Sequence, residues 1–253
     1  MFESLSKGEY MLEVKEITGG YAGLSILKNI SFTVPDAHIT GLIGLNGAGK
    51  STTIKEIIGL LTPYEGEISI DGLTFKEDNK GYRKRLAYIP ETPNLYEELT
   101  LQEHLDVVTM AYDCDKLEAQ KKAADLLEMF QLADKLEWFP IHFSKGMQQK
   151  VMIVSALLLD ADVLVIDEPF IGLDPIAIKH LTDILLALKD AGKTIIVSTH
   201  VLDRAEKICD SFVFLRKGQV LIQGDLLDLQ ERAQQEGGNL EELYLSLVQE
   251  GEL

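Results

Sequence analysis

Cysteine is scarce in this 253-residue chain: only Cys114 and Cys209 are present, far apart and in no metal-like spacing. Two such residues cannot build a disulfide framework or a thiolate zinc site, and they read as reduced thiols. Long apolar runs are also missing. The most apolar stretch, Val151 to Ile166, is broken by Asp160 and Asp162, well short of the roughly 18 residues that cross a bilayer. It reads instead as a buried helix followed by a buried strand. The start, Met1-Phe2-Glu3-Ser4, has neither a basic flank nor an apolar segment, so no secretory signal and a cytoplasmic location are expected. Basic charge is in deficit. With 24 Lys and Arg against 41 Asp and Glu, the formal charge of −17 opposes nucleic-acid binding, whose affinity comes mainly from neutralised phosphates. An acidic body suits the basic cytoplasmic loops of membrane proteins, although acidity also serves solubility.

What is present is the composition of a globular domain: 46% hydrophobic, 26% charged, and a mean hydropathy of +0.05. That length fits one large α/β domain carrying an insertion better than two unrelated domains. Short β-like runs dominate first, at Leu12–Ile17, Ile30–Val34, Ile39–Gly44 and Ile68–Ile70, with one long helix after Lys50. From Thr100 to Leu136 the pattern turns helical: Leu101, Leu105 and Val108 share one face, and Ala123, Leu126, Leu127 and Phe130 another. After Ser144 the alternation returns. A helix Val151–Leu159, a strand Val163–Ile166, a helix Ile176–Leu188 and a strand Thr194–Val197 indicate a parallel sheet covered on both faces. Phe212–Leu215 and Val220–Ile222 form a hairpin across Lys217-Gly218, and residues 226–253 form a helical tail broken at Gly237-Gly238.

Strand Ile39–Ile43 leads into Gly44-Leu45-Asn46-Gly47-Ala48-Gly49-Lys50-Ser51, a full G-x-x-x-x-G-K-S opening a helix. Glycines there let backbone N–H groups turn in on phosphates, the helix N-terminus adds its positive end, and Lys50 supplies a cation. Asn46, Gly47, Ala48, Gly49, Lys50, Ser51 and Thr52 are therefore the expected nucleotide-binding residues, with the Ser51 hydroxyl directed to Mg²⁺. A second signal is Val163-Leu164-Val165-Ile166-Asp167-Glu168, a buried strand ending in two acids at the ligand edge of an open sheet. Asp167 is expected to order the Mg²⁺ shell and Glu168 to polarise water for attack on the γ-phosphate.

A phosphate loop alone does not name a reaction, since kinases, GTPases and helicases carry one. Phe143-Ser144-Lys145-Gly146-Met147-Gln148-Gln149-Lys150 resembles the signature motif of ABC ATPases, Gly172-Leu173-Asp174 resembles their D-loop, and His200 resembles their switch histidine. Tyr21 stands where that family places an aromatic against adenine. The resemblance runs from residue 12 to about 225. It implies a P-loop NTPase of ABC type, a RecA-like parallel sheet core with an antiparallel β subdomain and an inserted α-helical subdomain. In residue terms, 12–90 and 143–225 form the catalytic core, 91–142 the helical subdomain and 226–253 an extension. It further implies that His200 holds Glu168 and water in line, that Asp174 contacts a second copy, and that Ser144 and Gly146 complete the ATP site of that copy in trans.

Two positions depart from the family pattern. Glu91 stands at the Q-loop position in place of the usual glutamine, and the signature reads Phe-Ser-Lys-Gly-Met in place of Leu-Ser-Gly-Gly-Gln. Glu91 still offers oxygen to Mg²⁺ or water and is counted with Glu168 and His200 among the catalytic candidates. With the segment Pro90 to Thr100, these departures look most similar to the ATPase subunits of Ecs-type, exporter-like transporters. The resemblance implies a dimer driving an integral membrane permease, which holds the chain at the inner face of the membrane and docks near Glu91 to Leu101. Leu95 and Tyr96 serve either that docking or local packing. The alternative reading is a soluble ABC ATPase that scaffolds cofactor assembly or regulation. A GTPase is disfavoured because no guanine-reading Asn-Lys-x-Asp occurs.

Overall fold

A computed structural model describes residues 10–233 and 237–250 of the chain. The first unit is a four-stranded antiparallel sheet made of β1 (Tyr10–Tyr21), β2 (Leu24–Pro35), β4 (Glu65–Ile70) and β5 (Leu73–Thr74), in the order β2-β1-β4-β5. β1 and β2 are about twice as long as the apolar runs that announce them. Their register shifts between Val14 and Ile17, where Glu16 sits at φ 51° and donates its N–H to Ser31 Oγ at 2.8 Å. Such a bulge breaks the period-2 alternation on which a sequence reading relies.

The second sheet has six strands. Five are parallel: β3 (Ile39–Ile43), β6 (Leu86–Ile89), β7 (Val163–Asp167), β8 (Thr194–Thr199) and β9 (Ser211–Arg216). β10 (Gln219–Gly224) closes the edge antiparallel to β9, giving the order β10-β9-β3-β8-β7-β6. Every residue of β3, β7 and β8 is buried, as the continuous Val/Ile/Leu runs require for strands covered on both faces.

α1 (Lys50–Ile57) is shorter than expected. It stops because Gly59, at φ 72°, completes a Schellman turn in which the Leu60 and Gly59 amides donate to Lys55 and Glu56 carbonyls. α2 (Asn79–Lys84), capped by Asp78, lies in a polar stretch with no apolar period and was not legible as a helix. α3 (Leu101–Ala111) begins with a complete Thr100–Glu103 capping box, and α4 (Lys116–Met129) is capped by Asp115. α5 (Lys145–Leu157), capped by Ser144, starts six residues before the apolar run Val151–Leu159 suggests. Then come α6 (Pro175–Asp190), α7 (Leu202–Ile208), α8 (Leu226–Arg232) and α9 (Leu240–Glu250). Of the expected tail, residues 234–236 and 251–253 lie outside the described residues.

Three apolar clusters hold these layers together. One packs α3 to α6 on one face of the parallel sheet, through residues such as Leu105, Phe130, Val154 and Leu181. A second fills the space between the antiparallel sheet, α1 and the opposite face, through Leu12, Phe32, Ile54 and Val165. The third seats α8 and α9 on β3 and β9 through Phe212, Phe214, Leu240 and Tyr244. Among the described residues, no helix is long and apolar enough to cross a membrane.

Candidate active site

The carboxyl ends of the neighbouring strands β3, β8 and β7 converge at one edge of the parallel sheet, the place where open α/β sheets bind ligands. Each delivers one part of the site: the loop 44–49 after β3, Asp167 and Glu168 at the end of β7, and His200 just after β8. The loop, Glu168 and His200 border a cavity of about 440 Å³.

The loop is held open by its own backbone. The Ala48 amide donates to the Leu45 carbonyl at 3.0 Å, and the buried Lys50 ammonium donates to the Gly44 carbonyl at 2.7 Å. Gly49 sits at φ 113°, and a Cβ there would lie 2.9 Å from Leu27 Cδ2, so a side chain is excluded twice over. α1 begins immediately after it, leaving the amides of its first turn without intrahelical partners at the cavity wall.

Glu168 is the centre of the polar arrangement. It is a non-glycine residue at φ 48°, and its N–H is fixed by the Ser198 carbonyl at 3.1 Å. That costly backbone conformation turns the carboxylate away from the path of β7 and into the cavity. There Glu168 Oε1 lies 2.7 Å from His200 Nδ1 and 3.8 Å from Lys50 Nζ. The Glu168 side chain is 7% exposed and that of His200 is 47% exposed, so the acid is fixed while the histidine sits at the solvent edge. Asp167, itself buried, accepts the hydroxyl of the fully buried Ser198. Beside it, burial, then the charges of Asp167 and Glu91, push the Tyr88 phenol well above its ordinary pKa, so it stays neutral there.

The cavity brings together Asn46, Gly47, Gly49, Lys50, Ser51, Thr52, Glu91, Glu168 and His200 of the expected residues. Ala48 and Asp167 are buried and do not line it. Tyr21, Ser144 and Gly146 do not line it. Tyr21 is 41% exposed and receives the Lys55 ammonium both on its hydroxyl, at 3.2 Å, and over its ring. Ser144 is exposed at the N-terminus of α5, where its hydroxyl accepts only the Met147 amide at 3.3 Å. Gly146 meets the D-loop so closely that a Cβ would stand 2.5 Å from the Gly172 carbonyl.

The Asp174 carboxylate is engaged inside its own chain. It caps α6 through the Ala177 amide at 2.9 Å and pairs with the buried Lys150 at 2.7 Å. Lys150, then the cap amides, hold that carboxyl below its ordinary pKa. Sequence reasoning missed this tie between α5 and α6, and it missed Gln149. The buried Gln149 amide donates to the Pro90 carbonyl at 3.1 Å, joining α5 to the segment that carries Glu91. A polar residue between inward-facing Val151 and Met147 was the available signal. Leu95 packs on the main core, whereas Tyr96 is 61% exposed with its amide on His104 Nε2.

A phosphate loop facing an acid pair and a histidine, with a capped signature helix whose start lies outside that cavity, defines an ABC-type ATPase. Residues 27–171 match the family model described as ABC transporter, and the chain belongs to that family. It is 50% identical over 240 residues to the ABC-type transporter ATP-binding protein EcsA of Bacillus subtilis (strain 168), covering 95% of this chain and 97% of the relative. Among solved structures, an ATP-binding subunit of an ABC transporter superposes with a TM-score of 0.91 at 49% identity, covering 94% of this chain and 99% of that one. A dimeric ATP-binding cassette in a post-hydrolysis state, bound to ADP and Pi, superposes with a TM-score of 0.76 at 27% identity, over 85% of this chain and 99% of that one. The chain is an ATP-binding, ATP-hydrolysing subunit of an ABC transporter. Subunits of this class dimerise and act with membrane components.

Proposed function

We propose that two copies of this chain sandwich two ATP molecules and that Glu168 is the general base that takes the proton of the attacking water. The observation that carries this reading is the Glu168 carboxylate, buried, set by a left-handed backbone, and held between His200 and Lys50 at the mouth of the loop. The loop amides from Asn46 to Thr52 and the Lys50 ammonium hold the phosphates, and Tyr21 packs on the base. His200, at the solvent edge, keeps Glu168 oriented and senses the γ-phosphate. Exposed Ser144, with the free amides of the first turn of α5 at Gly146, completes the partner's site.

Ser51, Asp167 and Glu91 supply only hard oxygen donors, the set that Mg²⁺ takes when phosphates fill its remaining positions. A magnesium ion held by these residues would supply positive charge against the phosphates. Residues 12–90 and 143–225 act as the catalytic core, 91–142 as the helical subdomain and 226–253 as the extension. An integral membrane permease docks beside Glu91 to Leu101, using exposed Tyr96 while Leu95 supports it from below. This places the chain on the cytoplasmic face of the membrane, in an exporter-like system resembling that of its Ecs relative. Size-exclusion chromatography with Mg-ATP tests the reading. Glu168→Gln is expected to elute as an ATP-bound dimer, and a Glu168→Gln protein that stays monomeric at saturating ATP would overturn it.

A further inference from the structure

The phosphate loop is tethered from outside itself at two points, and one tether comes from the C-terminal tail. The Ala48 carbonyl accepts the Gly218 amide of the β9–β10 turn at 2.9 Å. The Leu45 amide donates to the hydroxyl of Tyr244, on α9, at 3.0 Å. Leu45 is the residue whose carbonyl takes the Ala48 amide and lies 3.5 Å from the Lys50 ammonium. The Tyr244 hydroxyl thus fixes one side of a residue whose other side organises the loop.

The position of that hydroxyl is itself determined. Tyr244 is 6% exposed, and its ring stands edge-on to Phe214 of β9 with centroids 5.4 Å apart. At the start of α9, the Leu240 amide donates to Glu206 Oε2 at 2.7 Å, tying the helix to α7. α7 begins two residues after His200. A small cavity bounded by Leu45, His200, Glu241 and Tyr244 separates α9 from the switch histidine.

We propose that Tyr244 is a positioning residue for nucleotide binding: its hydroxyl presets the Leu45 peptide, so that the loop meets phosphate already shaped. Preorganisation of this kind strengthens binding by removing an ordering cost, without touching the reacting atoms. It gives the C-terminal extension a role in the ATP site of its own chain. The inference rests on the assignment of residues 44–52 to phosphate binding.

The test uses the full chain, Mg-ADP as probe, and Tyr244→Phe, which removes the hydroxyl and keeps the ring on Phe214. Mg-ADP is expected to bind about fivefold more weakly, because the ordering cost that the hydroxyl removes, about 1 kcal/mol, returns. KM for ATP should rise by a similar factor while kcat stays within about twofold. Amide hydrogen exchange at Leu45 should accelerate, and the melting temperature without nucleotide should hold. A merely structural role would lower the melting temperature and leave the KM-to-kcat split unmoved. Unchanged Mg-ADP affinity in Tyr244→Phe would overturn the proposal, provided Lys50→Ala loses affinity in the same assay. If Lys50→Ala binds as well as the parent, the phosphate-loop assignment itself has failed.

Discussion

The sheet edge around Lys50 and the start of α5 around Ser144 are built in opposite ways. At the sheet edge the acid, the cation and the carbonyls of Gly44, Leu45, Ala48 and Gly49 have partners within the chain, and Lys50 and Glu168 are almost wholly buried. At α5 the serine is exposed, its hydroxyl serves only its own helix, and Lys145 beside it is exposed as well. Behind that exposed tip the support is firm: Lys150 grips Asp174, Gln149 grips Pro90, and Gly146 presses on Gly172. A rigidly backed helix end that presents unpaired amides to solvent is half of an anion site. In the proposed reading the sheet edge is the other half, and Ser144 does not line the cavity of its own copy. On that proposal the chemistry belongs to a pair, and each end can be broken separately.

Breaking the sheet edge should have the largest effect. Glu168→Gln removes the proposed base and should lower ATP turnover by about a hundredfold or more, measured by phosphate release, with ATP binding retained. Lys50→Ala should weaken nucleotide affinity by about a hundredfold in a fluorescence titration, because charge-assisted contacts to the phosphates are lost. Ser144→Arg sharpens the contrast. It should abolish turnover while a single copy still binds Mg-ADP with parental affinity, since Ser144 does not line its own cavity. Equal loss of Mg-ADP binding in Ser144→Arg and Lys50→Ala would erase the distinction between the two ends.

The smallest effect concerns the root of α1, where neither end reaches. Both Glu56 carboxylate oxygens are buried without a hydrogen-bond partner, and burial raises its pKa from 4.5 to about 7. The unfolded chain releases this proton near 4.5 and the folded chain only near 7. Unfolding therefore releases a proton between those values, and the associated stability, full below 4.5, is lost as pH rises through about 7. Glu56→Met should flatten that slope in melting curves taken from pH 5 to 8, and parallel profiles for the two proteins would contradict the assignment.

Much of the sheet edge was legible because its elements carry short-range signals. Continuous apolar runs marked β3, β7 and β8, and the glycine spacing with Lys50 marked the loop between a strand and a helix. The Glu168–His200 contact joins residues far apart in sequence, yet the parallel order of β7 and β8 makes it a near-necessity once both strands are assigned. The start of α5 was legible only through family resemblance, since its first six residues have no apolar period. Gln149 and Lys150 were hidden because their value lies in partners, Pro90 and Asp174, that only the fold supplies. The cap and the ion pair that Asp174 makes within its own chain were hidden for the same reason, while its side chain stays 48% exposed. Tyr244 was least visible: nothing in a helical tail indicates that one phenol reaches back to residue 45.

Mixing two inactive variants tests the shared site most directly. Glu168→Gln supplies a sound Ser144 without a base, and Ser144→Arg supplies a sound Glu168 without a usable serine. Combined before Mg-ATP is added, they should form mixed pairs with one intact site, and phosphate release should rise above that of either variant alone. Turnover that never exceeds the average of the two parents, in a mixture shown to contain mixed dimers, would contradict an ATP site completed across two copies.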